Sequence, residues 1–205
     1  GKNENGLSYG LLSAITTERD SNTWHSYFDP DSIIRPYKYP KKYFISRIKQ
    51  DYFAGNSFLG LMATSSIDDS AHIVSLDGMV NLLDNQIGID GQVVMNSDNK
   101  RGMLGEITYT PLGYFSTWID YQKYETGLNL NHLGYLWRDN YSQIKVGIKF
   151  QNQEPWRLIR SSSIILEGDI EENLDGLNIG KTLEFSYDIM FSNFWKIGGG
   201  FYKDL

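Results

Sequence analysis

The side chains best suited to moving protons near neutral pH are three histidines, His25, His72 and His132. His132 stands in "LNLNHLGYLWRDN", residues 128–140, where Asn131, Arg138 and Asp139 crowd around Tyr135 and Trp137. A general base needs a nucleophile or an activated water within reach, and the flanking sequence offers no obvious nucleophile. The three histidines lie tens of residues apart and match no His-x-x-x-His spacing, and the absence of cysteine removes thiolate ligands. No metal and no cofactor is indicated. The acidic pairs Asp68-Asp69 and Glu171-Glu172 lie in polar loop composition, where an acid/base pair reads the same as solvated charge until its separation is known. "IGGGFY" lacks the Lys-Ser/Thr that completes a phosphate loop, so its glycines are read as positions in a curved strand. The expectation is a protein that is not an enzyme.

Recognition is better represented than catalysis. The loop at 17–41 holds Trp24, His25, Tyr27, Tyr37 and Tyr39 among Asp, Arg and Pro, and flat aromatic faces beside hydrogen-bonding side chains stack on sugar rings. A loop of that length equally packs through its own side chains. In the 128–140 stretch, Asn131, His132, Tyr135 and Trp137 are read as a connection between strands, where Asn, Gly and Asp serve turn geometry.

The elements that must carry these loops are strands. Twenty glycines, fourteen tyrosines and ten phenylalanines against five prolines suit pleated surfaces. Period two recurs throughout and yields about eleven candidate strands. In "HIVSLDGMVNLLDNQIGIDGQVVMNSD", Val74, Leu76, Val80 and Leu82 alternate with Ser75, Asp77 and Asn81, and after an Asp84-Asn85 turn Ile87, Ile89 and Val93 alternate with Asp90 and Gln92. The same alternation sets Glu106, Asp120, Lys145, Lys149, Glu184 and Asp188 opposite apolar rows further on. Connections read as alternately long and short, and aromatics gather at the short ends, as in outer-membrane barrels. The predicted fold is therefore all-β, an antiparallel up-and-down transmembrane β-barrel with Asp77, Asn81, Asp90, Glu106, Asp120, Lys145, Lys149, Glu184 and Asp188 facing the lumen. An odd strand count and a start at Gly1 read as a segment of a larger barrel, residues 1–205 forming one unit. No apolar run reaches the roughly 18 residues of a spanning helix. A formal net charge of −6 excludes a nucleic-acid surface.

"YFISRIKQDYFAGNSFLGLMATS" resembles the Arg-x-x-x-Asp-Phe, Gly-Asn-Ser and Gly hairpin of an uncharacterised family of Gram-negative outer-membrane proteins. "LNLNHLGYLWRDN" resembles that family's Asn-x-Asn-Asp-Leu-Gly-Phe/Tyr-Leu-x-Arg-Asn-Asn motif, with His132 where the pattern has Asp, and "GLLSAITTERD" is similar to its Gly-x-x-x-Ala-x-Thr strand. Its members carry an amino-terminal domain like family-9 carbohydrate-binding modules, missing here, and a carboxy-terminal barrel-like region that this chain resembles almost throughout. The resemblance implies the outer membrane as location, the lipid bilayer as partner, a link to glycans or to other outer-membrane or periplasmic proteins, and no catalytic residues. It points to transport, docking or assembly. The alternative is a soluble secreted β-sandwich, a lectin-like carbohydrate-binding module, in which the same alternation turns its apolar face toward a core.

Overall fold

The computed structural model describes residues 1–16, 24–25, 33–34, 41–130 and 136–205. Its strands are β1 (Leu7–Ile15), β2 (Trp24–His25), β3 (Ile33–Ile34), β4 (Lys42–Tyr52), β5 (Ser57–Ser66), β6 (Ala71–Leu82), β7 (Ile87–Asn96) and β8 (Arg101–Leu112), followed by β9 (Phe115–Tyr124), β10 (Tyr141–Asn152), β11 (Ile159–Glu172), β12 (Asn178–Phe191) and β13 (Lys196–Asp204). β2 and β3 form a separate two-stranded ladder. The others form one 11-stranded antiparallel sheet in the order β1-β4-β5-β6-β7-β8-β9-β10-β11-β12-β13.

Register carries the alternation of each strand across the whole sheet, because directly opposed residues in an antiparallel pair point to the same face. Leu61, Leu76, Val93 and Met103 meet in one row, and Ile89, Ile107, Ile119 and Val146 in another, two rows along. These define an apolar face. The other face is polar, with Asp90, Glu106, Asp120, Lys145 and Asp169 opposed in sequence. Strands touch only their neighbours in the sheet, so the described residues make a single layer.

The sheet is open, and this corrects the barrel expectation. Among the described residues β1 and β13 are its two edges and share no ladder. Strands first and eleventh in an antiparallel run point the same way, so closing this sheet on itself would need a parallel pair. Along β1 the outward N–H and C=O of Tyr9 pair with Gly1, but among the described residues Leu11, Ser13 and Ile15 find no outward backbone partner. Hydrocarbon would leave each such group at a cost of several kcal/mol. A transmembrane barrel, the lumen it would enclose, the bilayer as partner and the outer membrane as location all required closure, and they fall with it. Among the described residues no helix is long and apolar enough to cross a membrane.

The expected alternation of loop lengths is also corrected. The turns after β5 and β7, at 67–70 and 97–100, are as tight as those at 53–56 and 83–86 on the opposite side. In the last of these Leu83, Asp84 and Asn85 take φ of 51°, 53° and 66°, a region that Asp and Asn tolerate. Two connections remain long, 16–41 and 125–140, both at the same end of the sheet.

The second of them builds the small core. Leu128 and Tyr141 are buried to 2 % and 1 % exposure, together with Ile73. A Cβ at Gly102 would come within 2.7 Å of the Tyr124 ring, 2.8 Å of the Leu128 side chain and 3.1 Å of Val94. The missing side chain at Gly102 thus lets the segment lie down on the polar face. Leu130 and Leu136 complete a cavity of about 230 Å³ against Met62, Ile73, Val94 and Leu104.

Candidate binding face

The polar face beyond this core is a network of amides, carboxylates and aromatic rings. Gln122 and Gln143 hydrogen-bond across β9 and β10. Gln143 Nε2 donates in turn to Glu171 Oε1 at 3.0 Å and to Asp169 Oδ2 at 3.4 Å. Tyr141 donates its hydroxyl to the same Glu171 oxygen at 2.9 Å, and Tyr124 donates to Gln122 Oε1 at 3.1 Å. The two tyrosine rings stack with centroids 6.4 Å apart. Thr182 donates to Asp169, and Lys145 Nζ pairs with Glu167 at 3.1 Å. All of these bonds but Tyr124–Gln122, which lies within β9, span neighbouring strands, so the sheet itself holds the side chains in place.

Trp118 lies beside this network. It faces Thr108 on one side and Gly147 on the other. A Cβ on Gly147 would fall 2.1 Å from the indole, so the ring lies flat across the glycine's backbone. A large residue at 147 would stand in the space that the indole occupies. The ring is only partly buried, and Glu167 and Glu184 follow Gly147 along the same row.

Crowding of like charge shapes the central row. Asp90, Glu106 and Asp120 are opposed on three adjacent strands, an arrangement that penalises full ionisation. Burial, then a hydrogen bond shared with Glu106 and the field of that carboxylate, push Asp120 up to about 6, and burial and Glu106 raise Asp90 as well. Burial alone would pull Lys145 down, but its bond to Glu167 and the fields of Asp169 and Asp120 leave it raised. Burial, then its bond to Glu171, raises Tyr141.

The sign for stability follows from Asp120. The unfolded chain releases this proton near 3.8 and the folded one near 6, so over that interval the folded state binds more protons. Stability is therefore highest at the acid side of the interval and declines as pH rises through it. Asp120→Asn is expected to remove the decline and to gain about 1 kcal/mol at pH 7.5 after solvent screening. Urea midpoints of both proteins at pH 4.5 and 7.5 check this, and a gain that is equal at the two pH values contradicts it.

The residues singled out from sequence fall in three groups. Asp77, Asn81, Asp90, Glu106, Asp120, Lys145, Lys149, Glu184 and Asp188 share the polar face. Asp77 accepts from Arg47 Nη2 at 2.5 Å, Asn81 Nδ2 donates to Asn56 O at 2.7 Å, and Asp188 pairs with Lys196 at 2.9 Å. Tyr27, Tyr37, Tyr39, Asn131, His132 and Tyr135 lie outside the described residues, and Trp24 and His25 are placed only as β2. Trp137 is exposed and meets the Tyr141 ring edge-on at 5.4 Å.

What is described of the 128–140 stretch serves the backbone. Asp139 accepts from the Gly127 N–H at 2.6 Å and Asn140 from the Leu174 N–H at 3.1 Å. His72 Nδ1 meets Ser65 Oγ at 2.8 Å on the apolar face, and among the described residues no carboxylate hydrogen-bonds the ring. No group of three or more His, Cys, Asp or Glu among the described residues is placed to hold a metal ion. Sequence reasoning missed Trp118 as a site residue, because its partner is a glycine on another strand.

No family model matches the chain, no curated protein matches it, and no solved structure matches it. The resemblance to the outer-membrane family is overturned by the open sheet, since that family's region is barrel-like.

Proposed function

We propose that the chain is a non-catalytic, lectin-like carbohydrate-binding module, with the polar face as its binding surface and Trp118 as the stacking platform. The observation that carries this reading is the indole laid flat over Gly147. Pyranose rings present axial C–H groups to aromatic faces, while their hydroxyls pair with planar amides and carboxylates. Both partners occur together here: Trp118 on one row, Gln122, Gln143, Asp169 and Glu171 on rows beside it. Because Gln143, Asp169 and Glu171 already hold one another, little side-chain freedom is lost on binding.

Affinity electrophoresis against a panel of soluble polysaccharides tests the proposal. The native chain is expected to be retarded by at least one of them, and Trp118→Ala to lose at least tenfold in affinity. Trp118→Phe, which keeps a smaller aromatic face, is expected to lose less. A native chain that migrates unretarded through the whole panel sinks the carbohydrate reading.

A further inference from the structure

We propose that the apolar face packs against the same face of a second copy, giving a two-layer β-sandwich with the polar faces outward. The size of the uncovered face motivates this. Eleven strands about 4.8 Å apart, each about 10 residues long at about 3.3 Å per residue, present roughly 1,700 Å² on one side of the sheet. Two such faces in contact cover about 3,500 Å², within the roughly 2,000–5,000 Å² of an obligate homodimer. Apolar side chains fill the middle of that face. Leu76, Val93, Ile107, Ile119, Val146 and Leu166 are between 39 % and 50 % exposed although they stand in the interior of the sheet, where only a covering layer is missing. Monomers rarely leave so continuous an apolar patch open.

Charge selects the orientation. A rim with a basic excess, Lys42, Arg101, Lys123, Lys181 and Lys203, borders the apolar face at the end where β8 begins and β9 finishes; Glu172 shares it, as do Asp68, which accepts from the Lys42 N–H, and Glu125, which accepts from the Arg101 N–H. The opposite end carries Tyr52, Tyr109, Phe115 and Phe150. Two sheets stacked rim on rim would oppose like charges. A two-fold axis lying between the sheets and perpendicular to the strands places each basic rim over the partner's aromatic end, where cations meet ring faces. That axis crosses every strand and sets each over its own counterpart, so overlap is greatest when it passes near mid-strand. Ile107, central on β8, then faces its own counterpart about 10 Å away.

The chain contains no cysteine, which makes the test clean. Light scattering of the full chain in aqueous buffer at micromolar concentration is expected to give twice the monomer mass. Ile107→Cys treated with a short bismaleimide is expected to yield at least tenfold more cross-linked dimer than Gln92→Cys on the polar face. Monomer mass, equal cross-linking at the two positions, or a chain that stays dispersed only with detergent or phospholipid bound would each overturn the proposal. The last result would assign the face to lipid. The readouts are mass and cross-linking, so they stand or fall separately from polysaccharide binding.

Discussion

Replacing Leu128 with alanine is expected to lower stability by about 2–4 kcal/mol, the largest loss from truncating a leucine packed within one copy of the chain. Many apolar side chains here stand on an uncovered face and stay about half exposed within one copy. Leu128 is different. It is 2 % exposed, seated over Gly102 against Tyr124, and it belongs to the small set of fully buried apolar residues among those described. Its truncation would enlarge the adjoining 230 Å³ cavity, and Gly102 has no side chain with which to fill the gap. The loss also reaches the binding face. Tyr141, which follows the same segment, is buried, stacks on the Tyr124 ring that Leu128 adjoins over Gly102, and donates its hydroxyl to Glu171. Urea unfolding should show a lower midpoint with an unchanged slope. Leu158→Ala, on an exposed turn, is expected within about 0.5 kcal/mol of the native chain. A Leu128→Ala loss below about 1 kcal/mol would mean that segment 125–140 does not form the core.

Local order was legible in the sequence because it depends on a local period. The alternation through Val74–Leu82 and Ile87–Met95 requires only that neighbouring side chains point to opposite faces, and register extends it, so nine charged or amide residues from six strands fall on one face. Closure is not a local property. The same pattern serves an open sheet, a sandwich layer or a cylinder, and the choice depends on whether β1 and β13 meet, which no window of residues encodes. Loop lengths misled for a related reason, since the connections at 67–70 and 97–100 turned out to be tight turns once strand ends were placed by hydrogen bonding. Interruptions in the pattern were the overlooked clue. Ile73, Val94 and Leu104 put apolar side chains on the polar face, and they mark where Leu128, Leu130 and Leu136 come down on it. Trp118 is similar: its setting depends on Gly147 across the β9–β10 pair, and only the register joins them.

Gly147→Ala is expected to be damaging, although the usual tendency runs the other way. A glycine inside a strand ordinarily weakens it by about 0.5–1 kcal/mol relative to alanine, so the substitution should stabilise wherever the new methyl has room. Gly10, inside β1, is such a place, with nothing within 4 Å of its Cβ position, and Gly10→Ala is expected to be neutral or stabilising. At Gly147 the new Cβ would stand 2.1 Å from the Trp118 ring. The indole must lift away from β10, losing its contact with the backbone and the orientation that the binding proposal requires. A destabilisation of about 1–3 kcal/mol follows from the overpacking, together with at least a tenfold loss of polysaccharide affinity. A double-mutant cycle isolates the cause. With Trp118→Ala already present, Gly147→Ala is free of the ring atoms nearest its Cβ position and should cost little further in stability, giving a coupling energy about as large as the single-mutant loss. Additive losses would show that the collision is relieved elsewhere and that Gly147 does not set the pose of the indole.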